Sequence, residues 1–293
     1  MGGPVYRGYD RAALDAQYDA RAAVPEHGAY FRRWEAASAA ARARLRAERD
    51  LAYGACPRCE LDYFPPARTG APLLLFVHGG YWRSLDKDLF SFLAVPWVEA
   101  GAAVALPRYP LAPEAPLDEI VAAVREAALW LWEGAARLGF DRGRIVAAGH
   151  SAGAHLAAML LLTPWQQHPG VPAELVRGAL CLSGVYDLEP IRLSYLEADL
   201  RLAPEDVARP SPLHLAAGVP PRWLVLAVGG AESDEFRRQQ SAFADAARAA
   251  GHRVQAVEVP GRHHFSIVET LADPASPVSA LLRGLLFEAP ETP

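Results

Sequence analysis

The sequence predicts an α/β protein: a mostly parallel, doubly wound sheet with helices on both faces. Three observations carry this. From residue 72 onward, short apolar runs alternate with longer stretches of helical period. The central runs are apolar nearly throughout rather than at every second residue, as strands covered on both faces must be. Residues 188–221 then break the rhythm with six prolines and irregular polarity, which reads as an insertion over the carboxyl edge of the sheet, where such folds bind ligands.

The elements follow in order. Residues 11–49 are rich in Ala, Arg and Glu and predict one or two helices interrupted near Pro25. Leu51–Gly54 and Glu60–Phe64 read as short strands. Pro72–His78 is an apolar strand, Phe90–Gly101 a helix ended by glycine, and Ala102–Pro107 the next strand. A long amphipathic helix, Pro116–Leu138, precedes the strand Arg144–Gly149 and the helix Ala152–Leu162. Strands at Gly178–Ser183, Arg222–Val228 and Arg253–Val259 and helices at Ser233–Gly251 and Pro277–Phe287 complete the pattern. The expected organisation is a single domain over 1–293, with residues 1–50 as an N-terminal helical extension and 188–221 as a cap-like insertion.

Composition narrows the function classes. Apolar residues make up 52% of the 293 and charged residues 22%, with a net charge of −5. The basic residues are dispersed, with no stripe interleaved with aromatics, so no nucleic-acid partner is expected. No membrane partner is expected either: the longest apolar run, Leu156–Leu162, is far short of the roughly 20 residues a bilayer requires. Residues 1–20 lack the apolar core of a secretory signal, which makes the cytoplasm the expected location. Cys56-Pro57-Arg58-Cys59 has no second pair for a zinc ribbon and opens no helix, so it reads as two reduced thiols in a β-turn. No metal is expected.

The chemistry is concentrated at Gly149-His150-Ser151-Ala152-Gly153. This is the G-x-S-x-G pattern, directly after an apolar strand and directly before a helix-forming stretch. A strand that turns at once into a helix exposes the central side chain, so Ser151 is the candidate nucleophile. A serine hydroxyl needs a base and a group that orients the base. In this topology the acid follows a late strand and the histidine follows the last one. Gly261-Arg262-His263-His264-Phe265 follows the last strand, and the apolar residue after it favours His264 over His263. The preceding strand is followed by Glu232, Asp234 and Glu235. Ser233 reads as a helix cap with Asp234 and Glu235 favourable to the helix dipole, which leaves Glu232 for the acid. Asp187 is the geometric runner-up. His78-Gly79-Gly80-Tyr81-Trp82 matches the glycine loop that supplies oxyanion donors, predicting the N–H groups of Gly80 and Tyr81, with that of Ala152, as the oxyanion hole. His78 reads as a structural residue and His155 as a packed helix residue. Tyr81 and Trp82 are candidate walls of the acyl pocket.

With these pieces in place the chain resembles the α/β-hydrolases, and within them the kynurenine formamidase (arylformamidase) group. The resemblance rests on His78–Trp82, Gly149–Met159, Ser183–Ile191, Glu232-Ser233-x-Glu235-Phe236 and His264-Phe265 followed by Ile267-Val268-Glu269. It covers roughly residues 73–285. It implies the triad Ser151, Glu232 and His264, with a departure at Glu232, where the family commonly has Asp; Asp234 is the alternative. It implies hydrolysis of an aryl formamide such as N-formyl-kynurenine, with a carboxylesterase acting on short acyl esters as the rival reading. Tyr81, Trp82 and Tyr186 are the expected substrate-binding residues. No cofactor is expected, and the expected partner is a small-molecule substrate, with a homodimer left open.

Overall fold

A computed structural model describes residues 3–288. Eight strands form one sheet: β1 (Glu48–Ala52), β2 (Glu60–Phe64), β3 (Ala71–Val77), β4 (Ala103–Pro107), β5 (Phe140–His150), β6 (Val176–Leu182), β7 (Trp223–Gly229) and β8 (Arg253–Val259). Their spatial order is β1-β2-β4-β3-β5-β6-β7-β8. The β1–β2 and β2–β4 pairs are antiparallel and all the others parallel.

The apolar runs are explained by two cores, one on each face. On β3, Leu73, Leu75 and Val77 enter one core while Leu74 and Phe76 enter the other. The first core holds α5 (Leu117–Leu138), α6 (Ala152–Leu161) and α10 (Asp234–Ala249). The second holds α3 (His27–Arg44), α4 (Ala94–Glu99) and α11 (Pro277–Phe287). Capping follows the sequence signals. Asp10 accepts from Ala13 N–H at the head of α1 (Arg11–Tyr18), Ser233 from Phe236 N–H at α10, and Gly139 ends α5 in the left-handed conformation.

Several local expectations are corrected. The N-terminal region contains three helices, α1, α2 (Ala20–Ala23) and α3, broken at Asp19 as well as near Pro25. The Asp19 carboxylate turns back to accept from Ala22 N–H and starts the second helix. The first strand lies at Glu48–Ala52 rather than Leu51–Gly54, so strand structure begins inside the 1–50 segment. Phe90–Gly101 is helical only over Ala94–Glu99. Two 3-10 turns precede it, and the Phe92 N–H donates outward to Ser38 Oγ instead of to a helical carbonyl. Cys56 and Cys59 are joined as a disulfide, not left as thiols: the turn bond from Cys59 N–H to Cys56 O brings their Cα atoms to 5.0 Å.

Lys87 is wholly buried near the β1 edge, with its ammonium 2.8 Å from carboxylate oxygens of Asp50, Asp62 and Asp88. Among the described residues no helix is long and apolar enough to cross a membrane.

Candidate active site

β5 passes into α6 through Ser151, whose φ of 57° and ψ of −122° are a strained backbone for a residue with a side chain. The flanking glycines have a direct steric reason. A Cβ on Gly149 would run into the Gly153 carbonyl, and one on Gly153 into the carbonyls of Val77 and His78. The turn is held by the Ser151 N–H, which donates to Leu182 O at 2.8 Å.

His264, on the loop after β8, has its Nε2 3.0 Å from Ser151 Oγ and its Nδ1 2.7 Å from Glu232 Oε2. The other oxygen of Glu232 accepts from the Gly229 N–H at 2.7 Å and from the Ser183 hydroxyl. Glu232 is therefore a buried carboxylate with donors on both oxygens, as a fixed anion requires. Asp234 instead points to solvent and pairs with Arg237, while Asp187 accepts from Tyr6 Oη and faces Arg238. His263 meets Tyr30 Oη at 3.1 Å. Of the histidines and acids weighed from sequence, the fold brings His264 and Glu232 to Ser151. The sequence assigns Ser183 no role; the ending of β6 beside β7 puts its hydroxyl there.

The loop after β3 is wound through three successive left-handed residues, Gly80, Tyr81 and Trp82, with φ of 114°, 49° and 55°. It is pinned by Ser84 Oγ donating to Gly80 O, Tyr81 Oη to Tyr18 O and Trp82 Nε1 to His155 Nδ1. Tyr109 braces it from below, its ring stacked on His78 at 4.3 Å and its hydroxyl donating to His78 O. The N–H groups of Gly80, Tyr81 and Ala152 enter no hydrogen bond among the described residues. Three free donors thus lie on the two segments that flank Ser151.

His78, His150 and His155 are buried in this region, and burial lowers the pKa of each. His78 and His155 are pushed down to about 4, and His150 well below its ordinary value, with His264 adding to the effect of burial. His155 uses both nitrogens: Nδ1 accepts from Trp82 and Nε2 lies 2.6 Å from Pro210 O.

A cleft of about 700 Å³ opens above Ser151 and His264. Tyr81 lines it. Trp82 and Tyr186 do not, which corrects their expected place in the substrate pocket. Trp82 is fully buried, edge-on to His155 at 5.0 Å, because its indole N–H is drawn inward to that ring. Tyr186 stacks on Phe243 at 4.5 Å, turned inward because the N–H groups of Tyr186 and Asp187 both donate to Gln239 Oε1 on α10. The walls come instead from the N-terminal helices, through Arg21, His27 and Phe31, and from the 188–221 segment, through Tyr195 and Asp199. Nothing in the Ala- and Arg-rich composition of residues 11–49 signals a cleft wall. Asp50, Asp62 and Asp88 form the one cluster among the described residues with metal-like spacing, and Lys87 already stands among them.

Residues 74–267 match a family model described as alpha/beta hydrolase fold. A kynurenine formamidase of Danio rerio is 36% identical over 230 residues, covering 76% of each chain. One of Salmo salar is 36% identical over 234 residues, again 76% of each. Among solved structures, a provisionally assigned thioesterase of Silicibacter sp. TM1040 superposes with a TM-score of 0.82 at 33% identity, over 91% of this chain and 97% of that one.

Proposed function

Since the chain belongs to the kynurenine formamidase family of α/β-hydrolases, we propose that it is a serine hydrolase that cleaves an aryl formamide such as N-formyl-kynurenine to the arylamine and formate. One observation carries the reading: the continuous line of contacts from Ser151 Oγ through His264 to a carboxylate with donors on both oxygens.

In that line Glu232 accepts from His264 Nδ1–H, which leaves Nε2 unprotonated and facing Ser151. Ser151 attacks the formyl carbon as its proton passes to His264 Nε2. The N–H groups of Gly80, Tyr81 and Ala152 receive the oxyanion, each worth about 3 kcal/mol in such a site. His264 then returns the proton to the departing nitrogen, and the carbon–nitrogen bond breaks. Water, deprotonated by His264, attacks the formyl-serine and releases formate. Phe31, His27 and Phe265 along the cleft suit a flat aryl group.

A carboxylesterase with the same machinery is the second reading, favoured by the likeness to the Silicibacter thioesterase. The deciding measurement is kcat/KM for N-formyl-kynurenine against an aryl acetate, with Ser151→Ala as control. Preference for the formamide, abolished by Ser151→Ala, is expected; a large preference for the acetate overturns the formamidase reading.

A further inference from the structure

The residue between Gly149 and Ser151 is a histidine with a partner for only one of its nitrogens. His150 Nε2 lies 2.7 Å from the carbonyl oxygen of His264. A carbonyl only accepts, so Nε2 carries the proton and Nδ1 is left with a lone pair. Burial and the neighbouring His264 disfavour protonation of the ring, so that lone pair stays free. Nδ1 enters no hydrogen bond among the described residues, and His150 lines the cleft together with Ser151 and His264. Gly79 marks where Nδ1 stands: a Cβ there would be 3.1 Å from Ser151 Cβ and 3.2 Å from His150 Nδ1. The His150 ring is 4.6 Å from that of His264, the group that must reach the leaving atom.

We propose that His150 determines specificity for amides over esters, its Nδ1 accepting a hydrogen bond from the N–H of the scissile formamide. This rests on the formamidase reading above. Once the carbonyl is attacked, a secondary formamide nitrogen has one lone pair and one hydrogen. The lone pair must face His264 Nε2 to receive its proton, so the N–H points elsewhere and gains from an acceptor there. An ester oxygen has no hydrogen and would set lone pair against lone pair. No proton moves to His150; the proton that reaches the leaving nitrogen is the one His264 took from Ser151. The Nε2 bond to His264 O is a separate, positioning contact that serves amide and ester alike.

The test is kcat/KM on formanilide, N-methylformanilide and phenyl formate for the wild type, His150→Phe and His150→Gln. His150→Phe should lower formanilide turnover about tenfold more than phenyl formate turnover, one hydrogen bond's worth. N-methylformanilide, which lacks the N–H, should fall only as far as the ester. His150→Gln, which keeps a donor and an acceptor, should recover most of the amide-specific loss. Equal falls on formanilide and phenyl formate overturn the proposal and leave His150 as a support for His264 alone. If His150→Phe does not fold, His150→Ala supplies the same ratio. A wild type that hydrolyses phenyl formate but neither formamide overturns the formamidase reading, and this proposal with it, on a separate arm.

Discussion

The hydroxyl of Tyr81 donates a 2.6 Å hydrogen bond to the backbone carbonyl of Tyr18, tying the loop after β3 to the end of α1. Residues on both sides of that bond border the cleft, Tyr81 on one and Asp19, Ala20 and Arg21 on the other. The N-terminal helices are therefore part of the cleft wall and are held in register with the loop that carries the free N–H groups.

Tyr81→Phe leaves the Tyr18 carbonyl with only the Tyr195 hydroxyl, at 3.5 Å. An under-satisfied buried acceptor costs about 1–3 kcal/mol, which urea denaturation should read as a lower midpoint. The kcat/KM should fall as well, because Arg21 and Phe31 lose their anchor beside the cleft. An unchanged midpoint and rate would show that the two segments hold their places independently.

Glu232→Gln should lower kcat on the order of 10⁴-fold, because a neutral amide no longer fixes the His264 tautomer or stabilises the imidazolium. Asp234→Asn, on the solvent side of α10 beside Arg237, should change kcat by less than about twofold. If the two variants exchange these effects in steady-state kinetics, the acid has been assigned to the wrong residue.

Burial pushes the His155 pKa down to about 4, against about 6.5 in an unfolded chain. Below about pH 6.5 the unfolded chain takes up a proton that the native protein refuses. The contribution of this group is full above that pH and is lost as pH falls toward 4, by about 2 kcal/mol at pH 5. His78 adds a loss of the same sign. Urea midpoints at pH 7.5 and 5 should therefore differ, and His155→Gln should narrow the gap. Equal gaps in the two proteins would exclude His155 as a source.

Lys87→Met leaves Asp62, fully buried, facing Asp50 and Asp88 with only the half-exposed Arg49 guanidinium, 3.4 Å away, as a counter-charge. Breaking a buried pair from one side costs about 3–5 kcal/mol, visible as a depressed Tm at pH 7. The Lys87 ammonium also holds the Asp50 carboxyl below its ordinary range, outweighing burial. That part of the stability is present above about pH 4 and is lost as pH falls further, so Tm measured from pH 5 to 2 should drop more steeply in the wild type than in the variant.

The sheet was legible because strands buried on both faces must be apolar at every position, as β3, β7, Ile145–Gly149 of β5 and Gly178–Leu182 of β6 are. Arg253–Val259 and Pro277–Phe287 were legible to the residue, bounded by Gly251 and by the Ser276 cap with Pro277 at the first helical position. Edge strand β1 was misplaced because its exposed, charged residues carry no apolar pattern. Trp82 and Tyr186 turn away from the cleft although they adjoin functional loops, and an aromatic at such a position has no sequence mark for which way it turns. His155 and Gln239 decide that, from 73 and 53 residues away in the chain.

The order of residues along the chain fixes the local chemistry of the elbow. Gly149 and Gly153 are required because a Cβ at either would meet backbone within a few residues or on the adjoining strand. It also determined the order of strands and helices that brings late loops to the carboxyl edge of the sheet. Packing across the fold, in contrast, sets Glu232 behind His264, joins Cys56 to Cys59 and makes the first helices a wall of the cleft. Those outcomes depend on contacts between residues far apart in the chain, such as Ser183 with Glu232 and Tyr81 with Tyr18. Such contacts leave no periodicity behind, because each is made by one side chain reaching one atom.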